Sequence, residues 1–227
     1  SFFSLMCPKF PVHIMKKYNH IIWDWNGTLL DDRWLCVEAI NQSLYKRKMP
    51  TLSESEYKDI FCFPVEDYYK NVGFDFEKEP FHVAGDEFVA YYGDHFHRVD
   101  LHPDSIPVLK KIQESGRSQS VLSAGKQEFL TNWIRDHDLS DYFVIVLGID
   151  NQYASGKTAL GMAWVNKMDH SPEEVVMVGD TIHDSEVAEA MGIDCVLVEN
   201  GHVSRERLET TGRIVVSNLS EFFKILN

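Results

Sequence analysis

Five short runs rich in β-branched residues set the strongest limit on how this chain can fold. They are HIIWDW at 20–25, SQSVLSA at 118–124, YFVIVLG at 142–148, EVVMVGD at 174–180 and DCVLVEN at 194–200. Several are nearly unbroken apolar runs, which is the pattern of strands covered on both faces in a parallel sheet. Helical patterns separate them: DSIPVLKKIQESG at 104–116, then KQEFLTNWIRDHD, TALGMAWVNKM and DSEVAEAMG. The first places Ile106, Leu109 and Ile112 on one face and stops at a glycine. Strands alternating with helices predict an open, doubly wound, mostly parallel α/β sheet of Rossmann-like form.

One interval breaks the alternation. From about Asp32 to His102 the sequence offers helical stretches (RWLCVEAINQSLYKRK, SESEYKDIF, PVEDYYKNVGF, DEFVAYYGDHF) and no convincing strand. About seventy residues is too long for a simple crossover, so 32–102 reads as an inserted helical cap on a core formed by 15–31 and 103–227. Residues 1–14 read as an N-terminal extension or tag, because MKKYNHIIWDWNGTLL from Met15 resembles a natural start.

Composition narrows the function classes. The 227 residues carry a formal charge of −13, which argues against nonspecific nucleic-acid binding. It leaves room for a small phosphorylated metabolite, since a metal and one lysine can reverse the local field. Cys7, Cys36, Cys62 and Cys195 form no CxxC pair, so a reduced, cytoplasmic protein without a zinc site is expected. No apolar run approaches the roughly 20 residues that span a bilayer, so no membrane partner is expected.

Open α/β sheets bind ligands beyond the carboxyl ends of their strands. The expected ends present Asp24, Ser123, and Asp180 with Asp184 just beyond; Lys157 falls in the loop NQYASGKT after the third run. In an extended chain residues i and i+2 share a side, so Asp24 and Asn26 face one space while Trp23 and Trp25 turn into packing. Paired carboxylates suit a hard cation such as Mg²⁺, which is commonly held by one or two carboxylates plus substrate phosphate. A lysine and a hydroxyl suit the remaining phosphate oxygens, and an aspartate can serve as nucleophile through an aspartyl-phosphate. The SGKT segment is not a P-loop, because the position five residues before Gly156 is Asn151.

Asp24-Trp25-Asn26-Gly27-Thr28-Leu29, Ser123 after SVL, Lys157, and Asp180 with Asp184 in GDTIHD follow one another in order. With these motifs the chain resembles the haloacid dehalogenase-like (HAD) hydrolase superfamily, and within it the phosphatases with a helical cap after the first strand. CFPVEDYYKNVGF at 61–74 looks like the cap of phosphoglycolate phosphatase relatives. The resemblance implies that Asp24 attacks phosphorus and ligates Mg²⁺, and that Asn26 lends its backbone carbonyl to the metal. It implies that Ser123 and the backbone at Ala124 bind the phosphoryl group, that Lys157 bridges phosphate and nucleophile, and that Asp180 and Asp184 hold the metal.

Position 26 departs from the family pattern, where a second aspartate serves as general acid and base. An amide exchanges no proton near neutral pH, and general acid–base help is typically worth about 10²–10⁴-fold. Three outcomes follow from Asn26: a substrate with a good leaving group, a proton from His183 or a cap side chain, or slow turnover. Two other readings stand beside the phosphatase: a phosphate-binding regulatory protein, and C–Cl or C–P cleavage. Dehalogenation needs no Mg²⁺, and phosphonate cleavage by relatives uses a cap lysine, for which Lys46, Lys48, Lys58 and Lys70 are present. His95 and His97 are expected on a solvated surface.

Overall fold

The computed structural model describes residues 18–149 and 156–226; the extension expected at 1–14, Cys7, and most of the loop before Lys157 lie outside them. Six strands form one parallel sheet: β1 (His20–Trp23), β4 (Ser118–Lys126), β5 (Ile145–Ile149), β6 (Val175–Gly179), β7 (Asp194–Val198) and β8 (Ile214–Val216). Their order is β5-β4-β1-β6-β7-β8. β1 pairs with β4 on one side and β6 on the other, His20 standing level with Ser118 and Val175. The chain leaves β1 in one direction and returns in the other, which makes the end of β1 the topological switch point.

Alternation along the strands supplies both faces. Ile21 and Trp23 join Val121, Val178 and Val196 in a core closed by α5 (Ser105–Glu114), α6 (Gln127–Asp136) and α10 (Leu219–Ile225). Ile22 belongs to the opposite core with Leu122, Met177 and Leu197, under α7 (Lys157–Val165), α8 (Ile182–Met191) and α9 (Arg205–Glu209). Period-two side-chain direction in a sheet covered on both sides produces this split. The Trp23 indole, fully buried, donates to Gln119 Oε1 at 2.9 Å, so its polar atom is satisfied. Trp25 is buried in the same core, against Trp133.

Between β2 (Leu30–Asp31) and β3 (Asp100–Leu101) lie four helices: α1 (Arg33–Lys46), α2 (Glu54–Ile60), α3 (Val65–Val72) and α4 (Phe81–His95). They share a core of their own, in which Ile40 and Leu44 meet Tyr57, Tyr68, Tyr69 and Ala84. α2 begins in a capping box, Ser53 accepting from the Glu56 amide while the Glu56 carboxylate accepts from that of Ser53. The two-residue antiparallel ribbon β2–β3 pins the ends of this segment together. His97 is exposed and His95 half-buried, stacked on Tyr91.

Several local expectations are corrected. Ile106 is 45% exposed; α5 instead buries Ser105, Val108, Leu109 and Ile112. A strand does occur at 100–101, and β8 and α10 extend the sheet and its cover beyond the fifth expected strand. Lys157 is the first residue of α7 rather than a loop residue.

Candidate active site

β1 ends at Trp23, and the Asp24 amide makes one more sheet-like bond, to the Val178 carbonyl at 2.9 Å. The chain then turns sharply, with the amides of Thr28, Leu29 and Leu30 all directed to the Trp25 carbonyl. Gly27 makes the turn at φ +81°, where a Cβ would stand 2.4 Å from Asp180 Oδ2, so glycine is required for both conformation and space. The result turns the Asp24 and Asn26 side chains into one cavity, as their spacing suggests.

That cavity, of about 290 Å³, brings together Asp24, Asn26, Ser123, Ala124, Lys157 and Asp184. Asp180 lies beneath, fully buried. Oxygens of Asp24, Asp180 and Asp184 fall within 4.8 Å of one another. Lys157 Nζ ion-pairs with Asp24 Oδ1 and donates to Asp184 Oδ1 at 2.6 Å. Thr28 Oγ1 lies 3.1 Å from Asp24 Oδ2 and 2.9 Å from Asp180 Oδ1, one hydroxyl proton between two carboxylates. Ser123 Oγ accepts from the Gly125 amide at 3.0 Å, which orders the backbone at the end of β4.

Asp184 serves two structures at once. Its Oδ2 accepts from the Asp180 and Thr181 amides and the Thr181 hydroxyl, completing the capping box of α8, while its Oδ1 holds Lys157. Helix capping and site construction are therefore one interaction network.

Three buried carboxylates around one ammonium leave an excess of negative charge. Burial, together with the nearby Asp184 charge, pushes the Asp24 carboxyl well above the usual range against the pull of Lys157. Burial likewise raises Asp180. Asp184 falls, because Lys157 and Thr181 outweigh its own burial. An all-oxygen, anion-rich cluster of this kind fits a hard divalent cation, whose charge would offset the crowding. The donor set matches Mg²⁺ and lacks the nitrogen and sulfur that zinc favours.

Sequence reasoning missed a second buried network beside the first. Asn26 Nδ2 donates to Asp32 Oδ2 at 2.9 Å and lies 3.3 Å from the Tyr92 hydroxyl, which itself donates to Asp32 at 2.8 Å. Asp32 Oδ1 pairs with His202 Nε2 at 3.1 Å, and His202 Nδ1 meets the Tyr57 hydroxyl at 2.8 Å. The His202 amide donates to Asp180 Oδ2 at 2.7 Å. Burial opposes a charge on His202, but Asp32 prevails and raises its pKa to about 9. The available signal was positional: His202 follows β7, another parallel strand ending on the same edge of the sheet.

Comparison with known proteins agrees with this architecture. The model of the haloacid dehalogenase-like hydrolase family matches residues 21–198. A phosphoglycolate phosphatase of Vibrio vulnificus is 24% identical over 181 residues, covering 76% of this chain and 79% of that protein. The tyrosine-protein kinase PtkA of Mycobacterium tuberculosis is 24% identical over 203 residues, 87% of this chain and 68% of the kinase. A haloacid dehalogenase-like family hydrolase from Streptococcus pneumoniae superposes with a TM-score of 0.79 at 17% identity, covering 94% of this chain and all of the other. Through a family match that spans both sides of the helical segment, the chain belongs to the haloacid dehalogenase-like hydrolases.

Proposed function

We propose that this chain is a cytoplasmic, Mg²⁺-dependent phosphatase that hydrolyses a small phosphomonoester through an aspartyl-phosphate on Asp24. The observation that carries the reading is the buried Lys157 bridging Asp24 and Asp184 beside Asp180, at the switch point of the sheet. The phosphatase named among the relatives supports the substrate class. Among the described residues no helix is long and apolar enough to cross a membrane, and Cys36, Cys62 and Cys195 are free thiols, in keeping with a reducing compartment.

In this reading residues 32–102 form the cap, and 15–31 with 103–227 the catalytic core. Asp24, Asp180 and the backbone carbonyl of Asn26 would hold Mg²⁺, with Asp184 behind them, and the ion would supply positive charge to the phosphoryl oxygens. Ser123, the backbone at Ala124 and Lys157 orient the phosphoryl group. A carboxylate oxygen of Asp24 forms the new bond to phosphorus while the bond to the leaving oxygen breaks, its electron pair departing on that oxygen. Water then attacks phosphorus, the bond from phosphorus to Asp24 breaks with its electron pair returning to the carboxylate, and the proton lost by the water leaves with inorganic phosphate. Lys157 pulls Asp24 towards its ionised form, against the burial that raises it, and offsets charge on the phosphoryl group.

The C–P reading loses support: none of Lys46, Lys48, Lys58 or Lys70 lines the cavity. Lys58 instead donates to the Glu199 carbonyl, and Lys46 pairs with Glu87. The regulatory reading draws on Asn26 alone. Hydrolysis of p-nitrophenyl phosphate separates the two. Activity with Mg²⁺, lost with EDTA and reduced by more than about 10³-fold in Asp24→Asn, is expected. Phosphate binding without turnover would favour the regulatory protein.

A further inference from the structure

The roof of the cavity differs in kind from its floor. α1–α4 and the turns between them contribute Phe61, Val65, Tyr68, Tyr69, Phe88 and Tyr92, and no lysine or arginine. The arginines of this segment are engaged elsewhere: Arg47 with Glu79 and Glu87, Arg98 with Glu38, Arg33 with Glu54. The acidic group on this wall is Asp32, already held by His202, Asn26 and Tyr92. Lys157, the one ammonium lining the cavity among the described residues, is committed to Asp24 and Asp184. Among the described residues, a second anionic group on a substrate would find no unpaired counter-charge beneath these helices, since the His202 ring is already held by Asp32, and burying it unpaired is costly.

An independent observation concerns the leaving group. Asn26 faces the cavity with its amide turned onto Asp32 and Tyr92, and an amide gives up no proton near neutral pH. Both nitrogens of His202 are occupied, by Asp32 and Tyr57, so neither is free for a leaving group, and His183, which also lines the cavity, turns its Nδ1 to Glu186 at 3.3 Å. A phenolic oxygen departs as an anion with a pKa near about 10, whereas an alkoxide leaves only from near the pKa of water, about 15.7.

The two observations meet in one ligand. Resting on the phosphatase reading above, we infer that the site selects a small aromatic phosphomonoester, an aryl phosphate whose ring packs under α2–α4. Aromatic walls favour offset or edge contacts with such a ring, and a cavity of about 290 Å³ has room for one ring beside the phosphoryl group. On transfer, Asp24 takes the phosphoryl group, the phosphorus–oxygen bond to the ring breaks, and the phenoxide takes its proton from water.

The test compares phenyl phosphate, benzyl phosphate and 2-phosphoglycolate with Mg²⁺, together with calorimetric binding of the three to Asp24→Asn protein. Phenyl phosphate should exceed 2-phosphoglycolate in kcat/KM by at least about 100-fold, within the range that unpaired polar groups impose. Benzyl phosphate, with the same ring and an alkoxide leaving group, should keep a similar KM and lose kcat. Phe88→Arg should narrow the preference at least about tenfold. A 2-phosphoglycolate kcat/KM equal to or above that of phenyl phosphate would overturn the inference. If no substrate turns over, the phosphatase reading falls, and binding still decides the pocket: tighter phenyl phosphate supports the aromatic site, and tighter 2-phosphoglycolate rejects it.

Discussion

The two sides of the cavity are built by different physics. On the strand side every charged atom has a named partner: Lys157 with Asp24 and Asp184, Asp184 with the α8 cap, Asp180 with Thr28 and the His202 amide. On the helical side the contacts are ring against ring, Tyr57 5.3 Å from Phe61 and 5.7 Å from Tyr68, Tyr68 5.4 Å from Tyr69. Hydrogen bonds and ion pairs are directional and fix positions closely. Apolar packing depends on volume and tolerates exchange of similar shapes. On the phosphatase reading, chemistry belongs where geometry is determined by backbone topology, and selection belongs where side chains can be exchanged without unfolding the sheet.

The largest expected effect breaks the strand side alone. Lys157→Met leaves Asp24 and Asp184 buried without their cation, and removing one partner of a buried pair costs about 3–5 kcal/mol. Phosphatase kcat should drop by more than about 10³-fold, with the lost stability visible in denaturant titration. Phe88→Ala, on the helical side, should move KM more than kcat. Equal kcat losses from the two substitutions would show that the sides are not separable.

The same contrast governs what could be read from the sequence. The strand ends were legible because a parallel sheet demands apolar runs, and each run terminates in a polar residue that can only be at the edge. Asp24, Ser123 and Asp180 were placed this way, while Lys157 and Asp184 needed the motif order. β8 was not legible: three residues, Ile214–Val216, with Ile214 half exposed, carry too little pattern. The ribbon of Leu30–Asp31 with Asp100–Leu101 is shorter still. Asp32 and His202 were missed because their partnership joins positions 170 residues apart, and a single histidine after a strand has no periodicity to reveal it. The aromatic roof was legible as helix packing, but which rings face the cavity depends on how four helices tilt.

A smaller effect probes the far end of β1. His20 is buried at the start of the strand, its ring nitrogens 2.7 Å from Ser118 Oγ and 2.8 Å from Ser120 Oγ. Burial, helped by His170, lowers its pKa from 6.5 to about 4. The folded form therefore binds the proton less readily than the unfolded chain. His20 contributes fully above pH 6.5, and its contribution is lost as pH falls from about 6.5 towards 4. The shift corresponds to roughly 3 kcal/mol. Denaturant titrations at pH 7 and 4.5 should show wild type losing on the order of 2–3 kcal/mol more than His20→Gln. An equal loss in both proteins would mean that the sheet is not rigid enough to hold the imidazole neutral.

Asn26 is the seam where the two sides join, and the smallest predicted change lies there. Its backbone belongs to the strand-end turn, and its amide belongs to the Asp32–Tyr92 network under the helices. Asn26→Asp restores a group able to exchange a proton, which on its own is worth about 10²–10⁴-fold. The new carboxyl would stand where the amide now donates to Asp32, 2.9 Å away. Two carboxyl groups that close cannot both ionise, and they share a proton. Part of the acid's capacity is then spent on Asp32 rather than on the leaving oxygen, so benzyl phosphate turnover should rise only about tenfold. Phenyl phosphate, whose phenoxide needs no proton, should change by less than about twofold. Equal gains on both substrates would mean that position 26 governs binding on the strand side and not departure of the leaving group.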